Sequence, residues 1–268
     1  MRVAVIGHVE WVEFLCVDRP IEPGAVLRAP GGFGEAAGGG GVAAAELARL
    51  AGRCELYTAV GNDEVGRAVA PAMAAMGVDV TARVRPLPHR RATTLIDPAG
   101  ERTIVVIGPS QQARGDELPD LSGLDAVYFC KGDAAALRAA RAATTLVATA
   151  RVLDVVRAAG VRLDALVHSG ADPAERYRSG DLPIQPSLVA TTAGSRGGSW
   201  STAAATGAWP PAALPASAKD AYGAGDSFAA ALTFALATGH HPQSAVDFAA
   251  TRGAAAICRR GAHGGPDS

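Results

Sequence analysis

The segment best suited to chemistry is a pair of glycines followed by an acid where a helix is predicted to begin. Residues 220–228 read DAYGAGDSF and lead into apolar residues at helical spacing. Glycines at the start of a helix let unbonded amide groups converge on an anion, and the helix dipole strengthens the attraction. Asp226 would act there either as a helix cap or as a general base beside the anion. The segment therefore predicts a phosphate-binding helix start.

Three other segments combine glycines with polar or small residues. Residues 61–66 read GNDEVG, residues 192–198 read TAGSRGG, and residues 37–42 read AGGGGV. The second segment is also typical of a tight turn in which glycines adopt positive φ. The third overlaps the dinucleotide-binding pattern GxGxxA, but that pattern must follow a strand, and residues 31–37 are not strand-like. We therefore reject a dinucleotide-dependent oxidoreductase as the main interpretation.

These motifs, in this order and at this spacing, resemble the signature of the ribokinase-like, or PfkB, family of carbohydrate and nucleoside kinases. The most specific match is DxxGAGD at residues 220–226, and the turn motifs at 61–66 and 192–197 are moderately specific. The resemblance implies a three-layer α/β/α fold with a mainly parallel central sheet and a small β lid. It also implies a single domain over the whole chain, with a lid formed by about 10–32 and 90–108.

The activity that the resemblance implies is transfer of the γ-phosphoryl group of ATP, with Mg²⁺, to a hydroxyl of a small sugar or nucleoside-like acceptor. Asp226 would be the catalytic base that takes the proton from that hydroxyl. Gly223, Ala224 and Gly225 would complete an anion hole for the moving phosphoryl group. The alternative is a non-catalytic protein of the same fold that binds a nucleotide or another small molecule.

The same resemblance assigns residues to the nucleotide and its cations. The positions on the nucleotide side are Thr192, Gly194, Gly197 and Asp172. Asp220 would help to bind a monovalent cation such as K⁺, and Glu175 would contact Mg²⁺ through water. Ser169 stands where many relatives have Asn, and both Ser169 and Asp172 are equally suited to capping a helix start. A solvated loop position is the alternative for Asp220.

The acceptor side departs most from the family pattern. Where relatives have Asn-x-Asp after the first strand, residues 10–12 read EWV, and Val42 stands at the position of a further Asn. Polar contacts to hydroxyls decide specificity, so no preference for ribose is transferred to this chain. The remaining candidates for binding the acceptor are Glu10, Gly38, Gly39 and Asp133. Asp133 is equally typical of a helix N-cap.

Short apolar runs alternate with Ala- and Leu-rich stretches of helical period, which predicts a largely parallel sheet covered by helices. The predicted strands are 3–7, 54–60, 126–130, 145–149, 165–167 and 188–192. The predicted helices are 42–51, 64–76, 134–143, 152–159, 224–238 and 242–260. Residues 18–30 are expected to be an extended arm, 93–106 a hairpin with its turn at 97–100, and 205–218 a connector. The exposed edges of the arms favour a homodimer through the lid.

The overall composition argues against several other classes of protein. The 268 residues include 25 Lys and Arg against 26 Asp and Glu, and the arginines are scattered, which disfavours a nucleic-acid or membrane partner. The four cysteines lie far apart without zinc-binding spacing, so we expect buried thiols in a reduced compartment. The first residues lack the apolar run of a signal peptide, and no apolar stretch approaches about 18 residues. The expected location is the cytoplasm.

Overall fold

Thirteen strands and six α-helices are present in the computed structural model, which describes residues 1–265. The strands are β1 (Val3–Ile6), β2 (Glu10–Cys16), β3 (Gly32–Ala37), β4 (Cys54–Gly61), β5 (Val78–Arg85), β6 (Arg91–Ile96), β7 (Arg102–Ile107), β8 (Ala126–Phe129), β9 (Thr145–Thr149), β10 (Ala165–Ser169), β11 (Leu188–Thr192), β12 (Gly198–Thr202) and β13 (Thr206–Trp209). The helices are α1 (Gly38–Ala51), α2 (Glu64–Ala74), α3 (Ala134–Ala140), α4 (Leu153–Ala159), α5 (Ala224–Ala237) and α6 (Pro242–Ile257). None of the helices in this part of the chain has the length and apolar character needed to cross a bilayer.

Nine strands form the central sheet in the order β13-β12-β11-β10-β9-β8-β1-β4-β5. The strands from β11 to β5 pair in parallel, and β12 and β13 extend one edge in antiparallel pairs. Side chains of a strand alternate between the two faces of its sheet. In β1, Val3 and Val5 pack with α1 and α5, whereas Ala4 and Ile6 pack with α3 and α4. Helices thus cover both faces, which confirms the three-layer α/β/α fold.

A second, smaller sheet has four strands in the order β3-β2-β6-β7. β2 pairs in parallel with β6, and β6 and β7 form the predicted hairpin. In its turn, the carboxylate of Asp97 accepts hydrogen bonds from the amides of Ala99 at 2.9 Å and Glu101 at 3.0 Å. Every residue of β7 is exposed, and residues 104–107 are large and apolar. Within residues 1–265, no strand pairs with the outer side of β7, so the small sheet presents an apolar edge there.

Two expectations about the small sheet are wrong. Residues 18–30 form no strand, since Pro20, Pro23 and Pro30 remove backbone donors that a ladder needs. Residues 31–37 do not look strand-like in sequence, yet β3 occupies most of them and leads directly into α1. Because β3 pairs antiparallel with β2, it does not supply the parallel strand of a dinucleotide-binding unit. The dinucleotide interpretation therefore fails for a different reason from the one given by the sequence.

The predicted strands and helices of the main layers are confirmed, with their ends shifted by a few residues. The largest shift is at α1, which begins at Gly38 rather than at Val42. Three strands of the central sheet, β5, β12 and β13, are absent from the sequence prediction. β13 lies inside residues 205–218, which the sequence predicted to be a connector.

Candidate active site

Asp226 lies in the first turn of α5, but it does not cap the helix. Gly223 is the N-cap, with a φ of 71°, and no side chain of the described residues caps α5. A Cβ on Gly223 would approach Cγ1 of Val42 to 2.8 Å, so both the backbone angle and the close packing require glycine. The carboxylate of Asp226 is therefore available for a role other than holding the helix end.

The start of α5 leaves two backbone amides open. No backbone carbonyl within residues 1–265 accepts a hydrogen bond from the amides of Gly225 and Asp226, whereas the amide of Ala224 makes a long contact of 3.4 Å with the carbonyl of Ala221. Gly225 is exposed, and a Cβ built on it would meet no neighbouring atom within 4 Å, so the surface of this first turn is open. Open amides at a helix N-terminus attract anions. This helix start fits a phosphate group, with Ala224 contributing less than its neighbours.

The start of α1 meets the start of α5 at Asp226. A Cβ on Gly39 would lie 2.9 Å from Oδ1 of Asp226 and 3.3 Å from Cε1 of His8, so a side chain at this position would crowd the carboxylate. The amide of Gly39 donates to Nε2 of His8 at 3.3 Å, and the amide of Gly38 donates to the hydroxyl of Tyr222 at 3.2 Å. Two predicted acceptor-side glycines are thus next to the predicted base. His8 and Tyr222 are neighbours that the motifs did not reveal.

Glu10 is buried on the acceptor side and is held by charged and polar neighbours. Its Oε1 lies 2.6 Å from Nε of Arg90 and 3.7 Å from Nε2 of His8. Burial raises the pKa of Glu10, and Arg90 opposes the rise. Burial and the charge of Arg90 lower the pKa of His8 to about 4, so His8 is neutral at pH 7. The region beside Gly38 thus contains an ion pair that can both donate and accept hydrogen bonds.

The two positions at which the family pattern has polar acceptor contacts belong to the apolar core in this protein. Val12 and Val42 are 0% and 1% exposed, and they pack with Phe14, Ala37 and Tyr222. Neither side chain is accessible to a bound molecule. The departure from the pattern is therefore a change of packing as well as a loss of hydrogen-bonding groups. The polar groups described at this end of the site include Glu10, Arg90 and His8.

The surroundings of Asp226 raise its pKa to about 6. Burial is the largest cause. Arg151 and Arg102 oppose the rise, whereas Glu175 and Glu10 add to it. A carboxyl group whose pKa is close to the working pH can accept a proton from a hydroxyl efficiently. The pKa of Asp226 is therefore suited to a general base.

Arg151 connects the two acids that the sequence assigned to the nucleotide side. Its Nε contacts the carboxylate of Glu175, and its Nη2 lies 3.4 Å from Oδ2 of Asp172. Asp172 also caps the short 3₁₀ helix Pro173–Glu175. The hydroxyl of Ser169 accepts a hydrogen bond from the amide of Asp172 at 3.0 Å. The helix-start alternative is therefore observed for Asp172, whereas Ser169 accepts hydrogen bonds within the turn that precedes the 3₁₀ helix.

Thr192 ends β11, and the residues after it form a tight turn into β12. The amide of Ala193 donates to the carbonyl of Gly197 at 2.8 Å. Gly194 and Gly197 have φ values of 59° and 83°, as the turn interpretation predicts. A Cβ on Gly194 would meet no atom within 4 Å, so one side of the turn is open. The turn lies at the carboxyl edge of the parallel strands, where open α/β sheets bind ligands.

Asp133 and Asp220 both make local structural hydrogen bonds. Oδ1 of Asp133 accepts from the amide of Ala136 at 2.7 Å, so Asp133 is the N-cap of α3. Asp220 accepts from the amides of Tyr222 and Gly261, each at 2.8 Å, and it is 5% exposed. The interpretation of Asp220 as a solvated loop residue is therefore wrong, because its carboxylate is buried and fixes two segments of backbone.

The carboxylates that the sequence assigned to cations have partners within the protein. Within residues 1–265, no three His, Cys, Asp or Glu side chains gather into a metal site. The two carboxylates that the sequence assigned to the nucleotide and to Mg²⁺, those of Asp172 and Glu175, pair with Arg151. The cavity of about 540 Å³ beside Asp220 also contains Lys219 and Arg260. Their positive charges disfavour a further cation such as K⁺ there.

Comparisons with known proteins test the fold and the family resemblance. Residues 172–267 match the model of the pfkB family carbohydrate kinases. No curated protein sequence matches the chain. Ribokinase from Thermotoga maritima has a TM-score of 0.79 and 21% identity, over 98% of this chain and 95% of that chain. Adenosine kinase from Sinorhizobium meliloti has a TM-score of 0.78 and 18% identity, over 97% of this chain and 95% of that chain.

A ribokinase from Cryptococcus neoformans in complex with ADP has a TM-score of 0.75 and 21% identity, over 98% of this chain and 95% of that chain. Structural similarity at these identities shows a shared fold. The fold and the resemblance to the ribokinase-like family that the motifs indicated are thereby confirmed.

Proposed function

We propose that this protein is a phosphotransferase that moves the γ-phosphoryl group of MgATP to a hydroxyl of a small sugar or nucleoside-like acceptor. The observation that carries the proposal is the start of α5, where two open amides stand beside a carboxylate with a pKa of about 6. Open amides at a helix start suit a phosphate group. A carboxylate beside them repels a bound anion, so a protein that only binds would gain nothing from Asp226.

In the proposed reaction, the acceptor hydroxyl lies between Asp226 and the γ-phosphoryl group. The hydroxyl oxygen forms a bond to the γ-phosphorus while the bond from that phosphorus to the β–γ bridging oxygen breaks, and ADP leaves. Asp226 accepts the proton of the hydroxyl. The amides of Gly225 and Asp226, with a smaller contribution from Ala224, donate hydrogen bonds to the phosphoryl oxygens and stabilise their charge.

The acceptor, in this proposal, lies between the start of α1 and the ion pair of Glu10 and Arg90. The absence of a side chain at Gly39 leaves room for a hydroxyl beside Asp226. Glu10 accepts hydrogen bonds from further hydroxyls of the acceptor, and Arg90 donates to its oxygens. Asp133 is not included among the acceptor contacts, because its carboxylate caps α3.

The nucleotide lies, in this proposal, along the turn that contains Thr192, Gly194 and Gly197. The open side of that turn and its place at the carboxyl edge of the sheet support this assignment. The complex of a similar structure with ADP supports an adenine nucleotide as the phosphoryl donor. Lysine and arginine side chains at the same edge, Lys131 and Arg151 among them, supply positive charge for the phosphates.

The test follows ADP formation from ATP with a panel of sugars, nucleosides and other small alcohols, and identifies the product by mass spectrometry. The wild type is expected to add one phosphoryl group to a member of the panel. D226N is expected to lower kcat by about 10²–10⁴-fold while ATP still binds, because the backbone amides are unchanged. D125N, an equivalent change at an exposed carboxylate before β8, is the matched control and should leave kcat unchanged.

Two results would contradict the proposal. ATP binding by the wild type without phosphorylation of any acceptor would favour the non-catalytic alternative. Full turnover by D226N would remove Asp226 from the role of base, even if a product forms.

We also propose that two copies of the chain associate through the small sheet. β7 is the last strand of that sheet, and all six of its residues are exposed. An unpaired strand edge with apolar side chains at residues 104–107 is unfavourable in water. A second copy would pair with the edge and cover these side chains.

The cysteines support a location in a reducing compartment such as the cytoplasm. Cys16, Cys54, Cys130 and Cys258 are all free thiols, and Cys54 and Cys130 are buried. Chains exposed to an oxidising compartment usually pair their cysteines in disulfides. We therefore propose that the kinase acts in the cytoplasm.

A further inference from the structure

Arg151 occupies a central place among the charged groups near Asp226. It follows β9, which lies between β8 and β10 in the sheet. Lys131 follows β8, and Glu175 follows β10, so these three side chains extend from neighbouring strand ends at the same edge. Oδ1 of Asp226, in the first turn of α5, lies beside Gly39 together with His8, and His8 follows β1 at the same edge of the sheet. Arg151 thus extends from the edge that carries the proposed phosphate site, and its charge lowers the pKa of Asp226.

The guanidinium of Arg151 is shared between two carboxylates. Its Nε contacts Glu175, and its Nη2 lies 3.4 Å from Oδ2 of Asp172. The side chain of Glu175 is 16% exposed, whereas that of Arg151 is 61% exposed. Ion pairs with an exposed partner are weak, so the guanidinium can exchange a carboxylate for another anion at little cost. The two acids therefore keep Arg151 near the site without fixing it there.

Arg151 also lines an open cavity of about 430 Å³, together with Lys131 and Arg176. In the described part of the chain, the acid that lines this cavity is Asp154, which pairs with Arg157. The charged side chains facing the cavity are therefore mainly positive. A triphosphate carries several negative charges, and a cavity with this charge attracts it.

We propose that Arg151 is a further catalytic residue, which leaves Asp172 and Glu175 when MgATP binds and donates hydrogen bonds to the transferring phosphoryl group. This inference rests on the proposed kinase function. As the acceptor oxygen bonds to the γ-phosphorus, the bond to the bridging oxygen of ADP breaks, and the proton passes to Asp226. Negative charge is then spread over the phosphoryl oxygens and the bridging oxygen. A planar guanidinium can donate to two such oxygens at once.

Asp172 and Glu175 act as positioning residues in this proposal. The two ion pairs hold Arg151 in place before the nucleotide arrives. Arg151 thus supplies positive charge from the protein itself, in addition to that carried by MgATP.

The test compares three variants in the full-length protein. R151M removes the charge, R151K keeps the charge but loses the planar group, and R157M removes an arginine that forms an i,i+3 pair with Asp154 on α4. kcat is expected to fall by about 10³-fold in R151M and by less in R151K, and to stay unchanged in R157M. Added guanidinium ion should restore part of the R151M activity. A role limited to folding would not allow this rescue.

A second measurement does not require turnover. The carboxyl group of Asp226 can be titrated by NMR in the wild type, R151M and R157M. Arg151 and Arg102 lower the pKa of Asp226, and Glu175 and Glu10 raise it. Removing Arg151 should therefore move the midpoint upward from about 6, whereas R157M should not change it.

The outcomes separate this inference from the function on which it rests. Full kcat in R151M, or an unchanged Asp226 midpoint in that variant, overturns the role of Arg151. If R151M does not fold, the comparison of R151K with R157K carries the same test. If the wild type phosphorylates no acceptor, the proposed function fails. The titration of Asp226 and the affinity of R151M for ATP, compared with that of the wild type, still decide whether Arg151 belongs to the site.

Discussion

Replacing Asp226 with Asn is expected to lower kcat strongly and, at the same time, to stabilise the fold. Burial raises the pKa of Asp226 from an ordinary value of 3.8 to about 6. The folded protein therefore holds this proton more tightly than the unfolded chain does. The folded state loses stability as the pH rises from about 4 to about 6, and the full penalty is present above that range.

The size of the penalty follows from these two pKa values. One pKa unit corresponds to about 1.36 kcal/mol, so a rise from 3.8 to about 6 corresponds to at most about 3 kcal/mol at neutral pH. Asn cannot ionise and therefore does not pay this penalty. D226N should raise the free energy of unfolding by about 1–3 kcal/mol at neutral pH and should change it little below about pH 4.

The assay is urea unfolding followed by circular dichroism, at neutral pH and near pH 4, with linear extrapolation to water. Asp120 is the matched control, because hydrogen bonds from the amide and hydroxyl of Ser122 lower its pKa. D120N should therefore lower the free energy of unfolding at neutral pH, whereas D226N should raise it. If D226N gains nothing at neutral pH, or gains equally near pH 4, the attribution of the raised pKa to a buried charge at Asp226 is refuted.

Three further results are expected. The value of kcat/KM should rise with pH and level off above a midpoint near 6, as Asp226 loses its proton; a profile without this limb would exclude it as the base. G223A should lower the free energy of unfolding by about 1–3 kcal/mol and abolish activity, because an αL residue with a crowded Cβ is strained. In the control G160A, the residue also has a positive φ, 64°, but its Cβ would meet no atom within 4 Å, so this variant should lose stability and keep activity. V105E should convert the proposed dimer to a monomer in sedimentation experiments, whereas V26E, at another exposed valine, should not; a monomeric wild type would contradict the dimer.

The start of α5 could be predicted because its signal is local. The glycine pair, the acid and the apolar residues at helical spacing occur within one short segment, and the helix forms where they predict it. The same holds for β9 and β11, whose apolar runs match the observed strands. Local patterns of this kind are sufficient for the main layers of the fold.

Other parts of the site depend on contacts between distant segments, which no local pattern contains. The pair of Glu10 and Arg90 joins β2 to the residue before β6, and Arg151 meets acids from the segment after β10. A lone His8 after β1 carries no motif, although a polar residue at the end of a parallel strand was a usable signal. β3 was missed because its glycines oppose strand propensity, and pairing with β2 outweighs that preference.

The small sheet begins inside the candidate site. Glu10 is the first residue of β2, and its partner in the ladder is Ala37, the last residue of β3, directly before Gly38. No intervening segment separates the sheet from the backbone beside Asp226. A displacement of these strands therefore moves the acceptor-side acid and the α1 backbone as one unit. If the proposed function holds, substitutions far out on the small sheet should accordingly change kcat and KM together, because the same strands position the groups that bind the acceptor and the backbone beside Asp226.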